Sequence, residues 1–289
     1  MKTFFNRIYR PLGCAFVIMW LACTHNPFDS TEISIPRRTI FGTVQLSDRG
    51  QPDGVFVWLE GFDLGTFTDA NGYFAITLPI TNHQAGSELT GSFQIFFFLA
   101  NYRIATATIV LRRGELDFQH SDFQENGALR DPIYLRKYLD IQTTVAPAEV
   151  YQERDTNLSV ELILQALEDT VFVQYPDKAQ GPLAVVIVKS SQDNSSFVWE
   201  INDRATIAAT VTDTITIIPK AWSAALSLRA GRLERGQYQI VPYFLIHPAV
   251  APPGAMLARL GQNIMRPGVD FLKLPIKRNG GNFEVKGAD

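Results

Sequence analysis

Thiols are almost missing from this 289-residue chain: its two cysteines, Cys14 and Cys23, both fall within the first 23 residues. From residue 24 onward no disulfide, zinc–thiolate site or catalytic cysteine is available, so the fold there must rest on its core alone. Histidine is scarce as well. His25, His83, His120 and His247 stand far apart, and none has a second histidine or a cysteine at metal-ligand spacing. Charge of one sign is weak: the formal net charge is −3 and no run of five like charges occurs. That leaves no compositional case for nucleic acid as a partner. No serine sits in a nucleophile elbow, and no glycine-rich loop precedes a helix. Paired carboxylates of the glycosidase kind leave no spacing to read, because β-folds bring them together by tertiary contact. The apolar run at residues 12–22 falls short of the ~20 residues that span a bilayer. No residue set argues for chemistry; the expectation is a chain that is not an enzyme and uses no cofactor and no metal.

What is present is a great deal of apolar alternation. Apolar residues make up 46% of the chain, enough for real cores, and the length suggests two domains. The most informative stretch is residues 54–78. Val55, Val57 and Leu59 alternate, as do Phe74, Ile76 and Leu78, the period of strands with one buried face. Between them, Asp69-Ala70-Asn71-Gly72 carries turn chemistry. Asn71 and Gly72 tolerate positive φ, and the Asp69 carboxylate can cap the turn. The expectation is a β-hairpin preceded by a strand.

Gly42-Thr43-Val44, then Gly54-Val55-Phe56-Val57-Trp58-Leu59, then Thr68-Asp69-Ala70-Asn71-Gly72-Tyr73-Phe74-Ala75-Ile76 together resemble the carboxypeptidase regulatory-like domain. The resemblance covers about residues 36–137. Its later part has an aromatic strand at 93–102, another strand at 104–111 and a closing Ile133-Tyr134-Leu135. It implies a small transthyretin-like β-sandwich, an accessory module without catalytic residues of its own.

The first 23 residues read as an address. Lys2, Arg7 and Arg10 form a basic leader, the apolar run follows, and Ala22 precedes Cys23. This order resembles the lipobox of bacterial lipoproteins and implies a signal peptide at 1–22 with lipid attachment at Cys23. Trp20 and Leu21 depart from the usual pattern, and an ordinary cleaved signal or an uncleaved anchor with Cys23 incidental remains the other reading. Loss of the leader would move the side-chain charge to −6, since three cations and no acids leave with it. Residues 23–38 are polar and aperiodic, a tether. Thr24 after the cysteine favours the outer membrane, by resemblance to the sorting rule of enteric bacteria.

Domain one is expected at 39–138, with polar loops at 81–91 and 112–130. The second loop holds Asp117, His120, Asp122 and Glu125 without ligand spacing, which favours a solvated acidic loop over a metal site. The boundary falls at 138–153. Strand-like runs resume at 158–167, 171–174, 183–189, 197–201, 206–218 and 237–246, separated by turn clusters. They predict a second, immunoglobulin-like sandwich over 150–248. Residues 221–229 fit a short helix or a strand. Residues 249–289 read as an extension with a helix at 255–264, a last strand or strap at 271–276, and a flexible Gly-rich tail from 279.

The fold class is thus all-β, two sandwiches in tandem behind a lipoprotein signal peptide. One feature of domain one is unusual. With Val55, Val57 and Leu59 turned inward, Phe56 and Trp58 point outward, and Phe96 and Phe98 do so on the next strand. A sheet face in water should be polar. These four aromatics form a candidate binding patch, to be covered by domain two, by residues 271–276, or by an envelope protein or glycan. The functional expectation is a lipid-anchored envelope protein acting in binding or assembly, with the membrane as one partner. A surface carbohydrate-binding module, with Trp58, Trp199 or Trp222 as platform, and an accessory or inhibitor of an envelope peptidase stay open beside it.

Overall fold

The computed structural model describes residues 38–79, 90–200 and 209–287. The leader, Cys23 and nearly all of the tether lie outside the described residues. In domain one, β1 (Thr39–Leu46) lies between β4 (Tyr73–Thr77), antiparallel to it, and β8 (Ile133–Leu135), parallel to it. The facing sheet is antiparallel and runs β3 (Leu64–Phe67), β2 (Phe56–Leu59), β5 (Gly91–Phe98), β6 (Ala105–Arg112) and β7 (Glu115–Leu116). Between the sheets, Val44, Val57, Leu59, Phe74, Ile95, Phe97 and Ile109 form one buried cluster, as the alternation required.

The turn at 69–72 is as the sequence suggests, but what it joins is not. Asp69 Oδ1 accepts the backbone N–H of both Asn71 and Tyr73 at 2.9 Å. Gly72 alone takes positive φ, +77°, and a Cβ there would meet the Val44 carbonyl oxygen at 2.3 Å. The flanking strands do not pair with each other. β3 bonds to β2 and β4 bonds to β1, so the turn arches from one sheet of the sandwich to the other. Turn residues specify the local bend; the hydrogen-bonding partner is set by which sheet offers a free edge.

Domain two starts earlier and ends later than its alternation suggests. β9 (Leu139–Ala146) pairs within it, so its first strand falls inside the expected 138–153 boundary and ahead of the expected start at 150. It pairs with β11 (Thr156–Ala166), whose other side takes β16 (Lys220–Leu228). Residues 221–229 are therefore strand: Leu226 and Leu228 turn inward, while Ala221, Ser223, Ala225 and Ser227 face out. A second three-stranded sheet runs β15 (Thr210–Ile215), β12 (Val171–Pro176), β18 (Leu245–His247). The five-stranded sheet runs β10 (Glu149–Tyr151), β19 (Asn282–Lys286), β17 (Gly236–Pro242), β13 (Val185–Ser190), β14 (Ser196–Glu200). The expectation of a flexible tail is thereby corrected. Residues 282–286 lie between β10 and β17, with Phe283 and Val285 each 2% exposed. Two apolar residues in a Gly-rich polar setting are too few to register as alternation, yet each has a place in the core.

The two sandwiches are stacked into four β-layers. Three apolar fillings separate them: one inside domain one, one inside domain two, and one between β2–β5 and β13–β17. The central filling explains two runs in the sequence. Residues 55–59 and 183–188 are continuously apolar, not alternating, because β2 and β13 are buried on both faces. On β13, Val186 and Val188 enter the core of domain two, while Val185 and Ile187 enter the shared layer. Residues 254–276 complete that layer. The short helix Gly254–Leu260 contributes Met256, and the 3-10 turn Val269–Lys273 contributes Phe271, whose ring meets that of Tyr243 edge-on at 4.9 Å. The strap reading of 271–276 fits this path: Ala100 donates its N–H to the Pro275 carbonyl at 2.7 Å.

Candidate functional site

The aromatic patch lies inside the molecule. Phe56, Trp58 and Phe98 are buried and Phe96 is packed against them, covered by Val185, Ile187, Val241, Met256 and Phe271. Trp58 and Phe96 have ring centroids 5.8 Å apart. As a face for an external partner the patch is thus corrected: its cover is domain two together with the strap. The physical reason is the one that made it conspicuous, since an aromatic sheet face has to leave water. The indole platforms share this fate. Trp58 is 3% exposed, Trp199 is buried beneath the Arg232 guanidinium 4.2 Å from its ring, and Trp222 is half-buried against Tyr175.

An open concavity lies at the junction of the domains. It is a cleft of about 240 Å3 lined by Arg103, Lys137, Tyr138, Glu168, Asp169, Phe172 and His247. Its position follows from the chain path. After β5 the backbone turns at Asn101, a nearly buried residue that acts as a clamp. The Asn101 side chain donates to the Leu139 carbonyl at 2.7 Å and accepts the Leu139 N–H at 3.0 Å, while its own carbonyl accepts from Tyr138 N–H at 2.9 Å. This holds the first strand of domain two against the last turn of domain one. Arg103 is thereby placed opposite the β11–β12 turn, where its guanidinium pairs with Asp169 and lies 3.6 Å from Glu168. The same guanidinium lies 5.9 Å from the Tyr138 ring centroid.

Charges in the cleft are paired. Lys137 Nζ lies 3.0 Å from Asp48 and 3.6 Å from Asp140, and Tyr102 donates its hydroxyl to Asp48 at 2.9 Å. Burial works to raise the Asp48 pKa, but the Lys137 ammonium, the Gly50 N–H and the Tyr102 hydroxyl outweigh it, and the net direction is down. Burial and the same carboxylate push the Tyr102 phenol up. Burial also raises the Tyr138 phenol. Apolar surface remains available: Phe172, 50% exposed, stands on β12 opposite His247, and Leu167 is exposed at the turn before it. The cleft presents a hydrophobic wall beside neutralised ion pairs. Such a surface can bind and position, and it offers no activated nucleophile.

The 112–130 loop is folded on itself. Asp117 accepts from Arg112 Nε at 2.6 Å and lies 2.9 Å from His120 Nδ1, while Asp122 accepts the Thr108 N–H at 2.6 Å. Burial opposes ionisation of Asp117, yet His120 and Arg112 hold its pKa below the ordinary value. Phe123 inserts into the core of domain one. Among the described residues no group of three or more His, Cys, Asp or Glu is placed to hold a metal. Sequence reasoning passed over Asn101, Arg103 and Phe172. None belongs to a motif; the only signal was that Tyr138 and its neighbours fell at the domain boundary, where clefts form.

No family model matches the chain. No curated protein matches it either. Among solved structures, the crystal structure of BcpA, the major pilin subunit of Bacillus cereus, is 12% identical, with 70% of this chain and 63% of that chain covered and a TM-score of 0.25. The Bacillus anthracis TIE protein is 9% identical, with 86% of this chain and 34% of that chain covered and a TM-score of 0.23. The chain spans less than two thirds of the length of either, and at these scores neither likeness carries an argument about function.

Proposed function

We propose that this chain is a non-enzymatic, lipid-anchored protein of a bacterial envelope that binds or assembles with another envelope component through the junction cleft. The observation that carries the binding reading is the half-exposed Phe172 in a cleft whose charged groups are already paired. A hydrophobic wall kept open by a rigid frame is a surface for a partner. The anchor rests on the leader, the Ala22-Cys23 junction and the polar tether, and the outer membrane on Thr24. What supports the carboxypeptidase regulatory-like identity of domain one is the run of motif residues on β1, β2 and the arch to β4. On that reading domain one is the accessory module and the cleft is where it meets domain two.

Two measurements test this. Metabolic labelling with palmitate in a bacterial host should mark the wild-type chain and not Cys23→Ser; equal labelling of both defeats the anchor. For binding, a photo-crosslinking amino acid at position 172 should yield a defined adduct in intact cells, and the same group on Ser227, an exposed residue on β16, should yield a different one. Identical adduct patterns at both positions would remove the cleft as the binding face.

A further inference from the structure

Sheet edges are templates for adding a strand, and folded proteins guard them by shortness, charge, proline or a covering segment. The described edges here are guarded with one exception. β3, β7, β8, β10 and β18 have four residues or fewer, and β4 and β14 have five. β15 has six and carries Asp213. β9 is long, but residues 279–281 close it: Thr143 donates to the Asn279 carbonyl at 3.3 Å and accepts the Gly281 N–H at 2.7 Å. β16 has nine residues and bonds to β11 alone, and among the described residues no strand pairs with its outer edge. Apart from Lys220 at its first position, its exposed side chains, Ala221, Ser223, Ala225 and Ser227, are small and uncharged, and it contains no proline. Beside its first residue stand Ile217 and Ile218, 64% and 74% exposed and among the most exposed large apolar residues described.

We propose that β16 pairs antiparallel with β16 of a second copy, across a twofold axis near Ala224, joining two three-stranded sheets into one. The sequence is self-complementary for this pairing. Residues whose numbers add to 448 face each other, so Ser223 meets Ala225, Ala221 meets Ser227, and Lys220 meets Leu228. Lys220 is the strand's one charge and is already bonded to Asp213 at 2.6 Å. No like charges meet, which is what an isologous contact requires. Ile217 and Ile218 lie in the bend that leads into β16 and residues 230–231 in the turn that leaves it, so this pairing puts the two exposed isoleucines at the ends of the seam. This inference is independent of the lipid anchor and of the cleft, which lies on other strands.

Sedimentation of the purified exported protein, with Cys23→Ser to keep it off the membrane, should show a concentration-dependent monomer–dimer equilibrium. Ser223→Lys with Ala225→Lys puts ammonium against ammonium twice across the axis and should raise the dissociation constant about tenfold or more. Ser223→Lys with Ala225→Glu places opposite charges at the same points and should restore dimerisation. All these changes are at exposed positions, so the matched pair controls for folding. In hydrogen exchange, β16 amides should gain protection with concentration while those of β11 stay protected throughout. A monomer at every concentration overturns the proposal, as does a dimer indifferent to both charge pairs. So does a β16 protected in the monomer, which would mean the chain covers its own edge.

Discussion

Phe283 gives the sharpest test of the claim that the chain's Gly-rich end is a structural strand. Its ring is 2% exposed and stacks on Tyr238 with centroids 5.6 Å apart. Its strand is bonded on both sides, to β10 and to β17. Truncating it should cost the transfer energy of the ring plus the cavity left behind, about 3–5 kcal/mol for a buried Phe→Ala. For a body of this size each kcal/mol lowers Tm by roughly 2–4 °C. Phe283→Ala should therefore melt ~6–20 °C below wild type by near-ultraviolet circular dichroism. Asn282→Ala, one residue away and exposed, should change stability by no more than about 0.5 kcal/mol. Ending the chain after Arg278 goes further. It removes Phe283 and Val285, strands the Thr143 and Ile240 backbone groups that Gly281 satisfies, and opens β17 as a new edge. The loss is comparable with the ~5–15 kcal/mol that holds a typical domain together, so the truncated protein should be insoluble. A soluble truncated chain, or a Phe283→Ala variant melting with wild type, would show that the tail is not part of the core.

Three further outcomes follow from single residues. Gly72→Ala must leave the left-handed region or push the Val44 carbonyl aside, and it should lose about 1–3 kcal/mol in a urea melt, whereas Ala70→Gly, two residues away, should lose far less. Asn101→Leu keeps volume but leaves both the Leu139 N–H and C=O without their partner; at ~1–3 kcal/mol for each buried unsatisfied group it should destabilise by several kcal/mol, and restored protection of the Leu139 amide would refute the clamp. Asp48 has a folded pKa below its ordinary 3.8, so its contribution is present at neutral pH and is lost as pH falls through and below that value. The stability gap between wild type and Asp48→Asn should accordingly narrow only on the acid side of about pH 4; a gap that widens there has the wrong sign for the Lys137 pairing.

How much of this was legible in the sequence depends on the range of the interaction. Strand existence in domain one was readable where buried and exposed positions alternate, as at Phe74 and Ile76 on β4, because alternation is local. The cap of Asp69 on its turn was readable for the same reason. Which strands pair was not: the arch between β3 and β4 has the turn residues of a hairpin, and only the competition between two sheets decides its role. β19 was invisible because five residues with two apolar members carry almost no periodic signal. The candidate site was least legible. Asn101 becomes a clamp, and Phe172 the wall of a cleft, only when residues 38 and 75 positions away in the chain come alongside, as Leu139 does for Asn101 and as His247 on β18 does for Phe172.

The aromatic patch shows where pattern reading stops and physical reasoning can still continue. A strand such as Phe56-Val57-Trp58-Leu59 has apolar residues on both faces, and that alone demands a second cover beyond its own sandwich. Ile95-Phe96-Phe97-Phe98 on the neighbouring strand makes the same demand, and in domain two the run Leu183-Ala184-Val185-Val186-Ile187-Val188 makes the complementary one. Two half-covered sheets in one chain satisfy each other, because joining them removes both exposed faces at the cost of a linker already present. The sheets do not interlock alone, however. Met256, Ile264, Phe271 and Leu274 fill the space between them, which assigns the C-terminal extension its work and predicts that domain one expressed by itself exposes Trp58. The emission of Trp58 in an isolated 38–138 fragment should be red-shifted and quenched by acrylamide, and in the whole chain it should be shielded. If Trp58 is equally shielded in the fragment, β2 has only one buried face and the four-layer stack is wrong.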